Sequence, residues 1–188
     1  MSYSTDPRAA RSREAMLAAA RQLLAREGPG SVTHQRVAQQ AGVGRATVYR
    51  HWPRSEQLML DAMGGADLPL FKDPEVPIRA WLRRQLRQMA DELAIPAVAA
   101  MSLTLAQSAM WDPELAHRQD ESVRTIVERI HAAIQSAVAS GELETDAGPS
   151  DLAVMLVGPI VYRTTMQRDK VSDDLVARLV DSIGSWHS

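Results

Sequence analysis

The sequence predicts an all-α fold of about nine helices, and three observations carry that expectation. Apolar residues recur at helical spacing nearly throughout, as in Met16, Ala20, Leu23 and Leu24, and again in Val176, Leu179, Val180 and Ile183. Alanine, leucine, arginine and glutamine, all good helix formers, dominate the composition. No run alternates β-branched and polar residues as a half-buried strand would.

Punctuation places the elements. A first helix runs from near Arg8 to Glu27 and is stopped by Gly28, Pro29 and Gly30. Thr33 caps a short second helix that ends at Gly42, and a third spans Gly44 to Trp52. Pro53 opens a fourth, which fades at Gly64 and Gly65. Residues 64–77 carry two glycines and three prolines and mark a linker between residues 1–63 and residues 78–188. Beyond it helices are expected over 77–94, 96–110, 113–140, 150–167 and 173–186, with Gly158-Pro159 kinking the penultimate one because proline removes a helical hydrogen bond.

Bulk properties narrow the function. The chain's 188 residues suffice for a small module fused to a larger helical body. Cysteine is absent, which excludes disulfides, thiolate metal sites and cysteine nucleophiles and suits a reducing cytoplasm. Residues 1–7 are polar, lack the apolar core of a secretory signal and are expected to form a flexible arm. Leu93 to Trp111 contains no charged residue and approaches a bilayer-spanning length. Pro96, Ser102, Thr104, Gln107 and Ser108 dilute it, so a helix buried in a soluble domain is favoured over a membrane span.

The net charge of −2 conceals an asymmetry. Residues 1–60 hold nine arginines against Asp6, Glu14, Glu27 and Glu56, whereas the remainder holds 12 basic and 19 acidic residues. A basic front on an acidic body implies that the front meets a polyanion.

The informative stretch is VTHQRVAQQAGVGRATVYRHWPRSEQL, Val32 to Leu58. Val37, Ala38, Ala41, Val43, Val48 and Trp52 would pack two short helices against the first, with Gly42 accepting the positive φ of the turn between them. The second helix then presents Arg45, Ala46, Thr47, Tyr49 and Arg50 outward. Such a helix can enter a major groove, where Arg45 can donate two hydrogen bonds to a guanine edge.

This stretch resembles the DNA-binding signature of the TetR family of transcriptional regulators, matched at Thr33, Val37, Ala38, Ala41, Gly42, Val43, Thr47, Val48, Tyr49, His51, Trp52, Glu56 and Leu58 without a gap. The resemblance implies that Thr33, Thr47, Tyr49 and His51 contact phosphates, while Gln35, Arg45, Ala46 and Arg50 face base edges; His34 and Gly44 fall on the same expected surface. Two positions depart from the family: Gly44 replaces the usual serine, and Ser55 the usual lysine, with Arg54 as a neighbouring source of charge. Each residue also has a plainer role. Trp52 is favoured as core even within such a domain, Tyr49 divides evenly between core and contact, and His51 alone reads as a surface or capping residue. Arg8, Arg11 and Arg13 are read as solvated rather than as a minor-groove arm.

In the body, Ser150 to Gln167 is apolar nearly all round and must be covered on two sides. Leu152, Met155, Leu156 and Ile160 of this helix, with Val176, Leu179, Val180 and Ile183 of the last, are expected to form a four-helix bundle with a second subunit. Trp81, Met89, Leu93, Met101, Leu105, Met110, Trp111 and Tyr162 are apolar candidates for a ligand cavity that the resemblance implies, although core filling is the default for each. Arg79, Arg83, Arg84 and Arg87 give one helix a basic edge, read as a solvated face.

Taken together, these features predict a homodimeric regulator that binds double-stranded DNA at a palindromic operator and is released by a small, largely apolar ligand, without a metal, cofactor or membrane. The rival enzyme reading has His117 or His131 as a base, but His-Glu-x-x-His, Gly-x-Ser-x-Gly and phosphate-loop patterns are missing. A second rival is a DNA-coating protein that senses no small molecule.

Overall fold

A computed structural model describes residues 7–62 and 70–187. Among these are nine helices: α1 (Pro7–Glu27), α2 (His34–Ala41), α3 (Arg45–His51), α4 (Ser55–Ala62), α5 (Ile78–Leu93), α6 (Pro96–Ala109), α7 (Pro113–Ala139), α8 (Pro149–Val161) and α9 (Asp173–Asp181). Residues 1–6 of the expected arm and the linker glycines Gly64 and Gly65 lie outside the described residues, while the arm's last residue, Pro7, opens α1.

The chain forms two compact units, one of Met1–Gly65 with Ala100–Gln119, the other of Ala66–Ala99 with Asp120–Ser188. This division differs from a single cut at residues 64–77, since most of α6 and the start of α7 group with the N-terminal helices. The charge-free stretch Leu93 to Trp111 is not one helix: α5 ends at Leu93 and α6 begins at Pro96. The expectation of a buried helix there is corrected, because within α6 only Met101 is fully buried and Leu103 is exposed. Among the described residues no single helix is long and apolar enough to cross a membrane.

In the first unit α1 supplies the central surface. Met16, Leu17, Ala20, Leu23 and Leu24 form its buried face, and Val37, Ala38, Val48, Leu58 and Met59 are buried with them. A 3-10 turn at Pro29–Ser31 follows α1, where the Ser31 hydroxyl donates to the Leu23 carbonyl at 3.0 Å.

The second unit is built on α5, whose Ile78, Trp81, Leu82, Leu86, Met89 and Ala90 face the same core as Ile130, Leu152, Leu156, Ile160, Val176 and Val180. Pro77, at the α5 N-cap, offers no side-chain acceptor. Glu142 takes that role from a distance, accepting from the Ile78 and Arg79 amides at 2.9 and 2.8 Å. The Arg79 and Arg83 guanidinium groups both reach Asp181 at 2.9 Å. Partial burial works to raise the Asp181 pKa, but these two hydrogen-bonded cations outweigh it and hold the carboxyl below its usual range. Arg84 pairs with Glu75, and Arg87 with Asp91 and Asp173, so the basic edge of α5 is neutralised within the unit.

The C-terminal end departs from expectation. The last helix stops at Asp181 rather than continuing to residue 186, and Ser185–Trp186 (β2) pairs antiparallel with Leu143–Glu144 (β1). Gly184 explains the stop, because it holds φ 157° and its backbone approaches β1 so closely that an added Cβ would lie 2.3 Å from the Glu144 carbonyl oxygen. No helical residue with a side chain fits there. Gly184→Ala is therefore expected to destabilise the fold by about 1–3 kcal/mol, read as a lowered melting temperature; an unchanged melting temperature would show that β1 and β2 do not anchor the terminus.

Candidate nucleic-acid interface

The α2-turn-α3 unit begins where Thr33 turns extended backbone into helix, its hydroxyl accepting from the Arg36 amide at 3.3 Å. Gly42 ends α2 in the left-handed conformation, φ 67° and ψ 32°, and the Val43 amide returns to the Ala38 carbonyl at 3.0 Å. Gly44 then starts α3 with no side chain to cap it, the local consequence of glycine standing where the family has serine.

Helix α3 has a buried side and an open side. Val48 is fully buried and Trp52, at its C-cap, is nearly so. Arg45, Ala46, Tyr49 and Arg50 are exposed, as are Thr33, Gln35 and Gly44 nearby, while Thr47 and His51 are half-buried. The structure thus leaves these predicted contact residues at least partly open to solvent on the first unit. Arg50 makes no ion pair or hydrogen bond with the described residues, whereas Arg45 lies over the Tyr49 ring and donates to its hydroxyl at 3.1 Å.

Two predicted contacts need correction. His34 is buried: its Nε2 donates to the Trp52 carbonyl at 2.7 Å and its ring stacks on Tyr49 with centroids 3.8 Å apart. A ring so enclosed has little surface to offer a duplex. Arg54 is paired with Asp112 and Glu114, at the junction of α6 and α7, and so does not stand in for the missing lysine as a free cation. Neither is foreshadowed by neighbouring residues, because both depend on partners far away in the chain.

Other arginines of the basic front are also engaged internally. Arg36 donates twice to Glu27, at 2.6 and 2.7 Å, and this holds the Glu27 carboxyl below its usual range. Arg21 pairs with Glu14. Arg13 meets Asp61 at 2.5 Å and lies 5.3 Å from the Trp52 ring centroid. Asp61 proves to be a junction that sequence reading missed: it also accepts from the Trp52 indole at 2.9 Å and from Arg118 at 3.0 Å.

The cavity candidates divide between the two units. Met101, Leu105, Met110 and Trp111 belong to the first unit and Trp81, Met89, Leu93 and Tyr162 to the second. Trp81, Met89 and Met101 are core, Leu93 and Leu105 half-buried, and Met110, Trp111 and Tyr162 lie 76%, 83% and 58% exposed. The second unit does hold a recess of about 460 Å³ lined by Arg87, Asp91, Ala94, Lys170, Val171 and Asp173, none of them among the eight.

The expected dimer stripe is likewise redirected. Leu152, Leu156, Ile160, Val176, Val180 and Ile183 are buried in their own unit and Leu179 is half-buried, leaving only Met155 open. A side chain already covered has no area left for a second copy. The outer face of α8 instead carries Val154, Met155 and, one turn past Pro159, Tyr162 and Met166 in a π-helical turn spanning Tyr162–Met166.

Arg54→Ala is expected to lower the melting temperature through loss of at most about 1 kcal/mol, while the slope of log affinity against log salt for duplex DNA stays as in the parent. Arg50→Ala, which removes a cation expected at a base edge, should instead cost about 1–3 kcal/mol on the preferred duplex and relax the preference at one base pair. A reduced slope for Arg54→Ala would return Arg54 to the phosphate-binding surface.

Comparison with known proteins agrees with this arrangement. Residues 16–62 match the family described as bacterial regulatory proteins, tetR family, and residues 77–183 match the tetracyclin repressor-like C-terminal domain. The HTH-type transcriptional regulator Rv1556 of Mycobacterium tuberculosis is 26% identical over 187 residues, covering 95% of this chain and 89% of its own. Among solved structures, the TetR family regulator SCO0332 superposes with a TM-score of 0.68 at 26% identity, covering 90% of this chain and 94% of its own. A Saccharomonospora viridis regulator determined in complex with choline has the same fold, with a TM-score of 0.65 at 19% identity over 92% of this chain and 95% of its own. With the C-terminal match alone spanning more than half of its residues, the chain belongs to the TetR family and is a helix-turn-helix DNA-binding transcriptional regulator.

Proposed function

We propose that this protein is a ligand-released repressor that binds a palindromic operator as a homodimer. The observation that carries the reading is the two-sided α3: Val48 and Trp52 bury one side, and Arg45, Ala46 and Arg50 are exposed on the other, where they can meet base edges. Two copies held about 34 Å apart would reach successive major grooves of one face of the duplex. Selection from a pool of random palindromic duplexes is expected to return one sequence class bound at least about 1,000-fold more tightly than bulk DNA. If no sequence outcompetes bulk DNA, the protein is a nonspecific DNA-coating protein.

The dimer we propose uses the outer face of α8. Val154, Met155, Tyr162 and Met166 are apolar side chains left open along one helix, and apolar faces of this kind drive association. Val154, 68% exposed, contributes little to the unit's own core, so Val154→Glu should fold normally. In the dimer it would bury an unpaired carboxylate at a cost of several kcal/mol. Sedimentation at micromolar concentration is expected to show a dimer for the parent and a monomer for Val154→Glu, with operator affinity lost in step; a dimeric variant places the interface elsewhere.

The release step rests on the second unit. The related structure in complex with choline supports the reading that this fold accommodates small molecules. Trp81 and Met89 are closed into the core, so a small apolar molecule entering beside them must part α5 from its neighbours. A ligand that binds the parted arrangement better than the closed one shifts the population toward it, and the same differential affinity lowers the affinity for DNA.

A further inference from the structure

We infer that His34, although buried and out of reach of DNA, sets the base preference of Arg45 through a stacked ladder; this rests on the operator-binding reading above. The ladder has three rungs. His34 Nε2 donates to the Trp52 carbonyl, which can only accept, so this nitrogen carries the proton and the imidazole is fixed in plane. The His34 ring then lies 3.8 Å from the Tyr49 ring at an interplanar angle of 2°, leaving the phenol a single orientation. Arg45, one turn earlier on α3, places its guanidinium carbon 5.2 Å from the Tyr49 centroid and donates to the phenolic oxygen at 3.1 Å.

An exposed arginine ordinarily samples many rotamers and loses that freedom when it docks on a base. Here two contacts to one ring hold the side chain before DNA arrives. Planar bidentate recognition is demanding in angle as well as distance, so the orientation of the guanidinium decides whether a guanine edge is read or merely approached. The Tyr49 hydroxyl, while accepting from Arg45, keeps its own proton for an acceptor, and a backbone phosphate oxygen is the acceptor this surface meets. Base reading by Arg45 and phosphate binding by Tyr49 thereby become one event. His34 is a positioning residue for both.

The sequence placed His34 among the direct contacts, and the geometry moves it one step behind them. Glycine at position 44 adds to the dependence: with no side-chain cap on α3, the ladder supplements the bond from the Thr47 amide to the Gly44 carbonyl, at 2.9 Å, in restraining the first turn, where Arg45 sits.

The test uses the full-length protein and the duplex selected from the random palindromic pool, together with its single-base-pair variants. Arg45→Ala is expected to abolish the preference at one base pair per half-site, a discrimination of roughly 5- to 150-fold. His34→Gln, which can still donate to the Trp52 carbonyl but offers no ring, should cut the preference at that same base pair at least fivefold while leaving the other positions and the melting temperature nearly unchanged. His34→Phe, which keeps the stacking ring and drops the donor, should lower the melting temperature and reduce the preference less than His34→Gln does. The inference is overturned if His34→Gln keeps full discrimination at the Arg45 base pair, if it weakens every sequence equally, or if Arg45→Ala relaxes no base pair at all. A parent protein that selects no sequence would overturn the operator reading itself, and this is visible before any variant is made.

Discussion

The recognition surface depends on the burial of Trp52. Its backbone amide closes α3 on Val48, its carbonyl accepts from His34, its indole donates to Asp61, and its ring lies against Arg13. Each bond fixes a different element: α3 itself, the start of α2, α4 and α1. A seven-residue helix is far too short to be stable alone, so the open side of α3 keeps its shape only because the closed side is anchored at these points. Asp61 extends the anchorage to Arg118 on α7, which places the early part of α7 in the same bonded network as the recognition helix. Movement of α7 has a direct bonded route to the end of α3.

Charge is distributed by the same logic. The arginine-rich front suggests a broad cationic surface, yet Arg13, Arg21, Arg36 and Arg54 all pair with carboxylates of the same unit. Pairs this exposed contribute little stability each. Their larger effect is to remove free positive charge from the rest of the front, whereas on α3 Arg50 has no ion pair or hydrogen bond among the described residues and Arg45 is held on an aromatic ring. A field concentrated at the reading edge favours one docking orientation over a general attraction to any polyanion.

Helices were legible because their signals are local. Thr33 at a cap, Gly42 at a left-handed turn and the glycine and proline stops are each decided by a few neighbouring residues, and those boundaries fall within a residue or two of expectation. The outward set on α3 was legible for the same reason, since period and motif both point it away from Val48 and Trp52. Long-range partners were not. Nothing near His34 announces a carbonyl 18 residues later, nothing near Arg54 announces Glu114, and the short strand that ends α9 early exists only because Gly184 lets the chain approach Glu144. The inward turn of the expected dimer stripe was hidden for a related reason. Periodicity shows that a face is apolar but not which of two coverings, the chain's own core or another copy, will take it.

That ambiguity is sharpest on α8, where both faces are apolar and the polar groups are confined to the end. Leu152, Leu156 and Ile160 turn inward, Val154, Met155 and Tyr162 outward. Pro159 cannot donate within the helix, and the turn that follows widens so that the Gln167 amide returns to the Tyr162 carbonyl at 3.1 Å. The hydroxyls of Thr164 and Thr165 accompany this change by donating to the carbonyls of Ile160 and Val161, at 2.8 and 2.6 Å. Threonine is therefore buried here without an unsatisfied hydroxyl, and the carbonyls beside the wide turn gain partners. The buried side of the helix thus closes its own hydrogen bonding, and the outer side chains Val154, Met155 and Met166 can be covered by a second molecule at no polar cost, provided the Tyr162 hydroxyl finds a partner there.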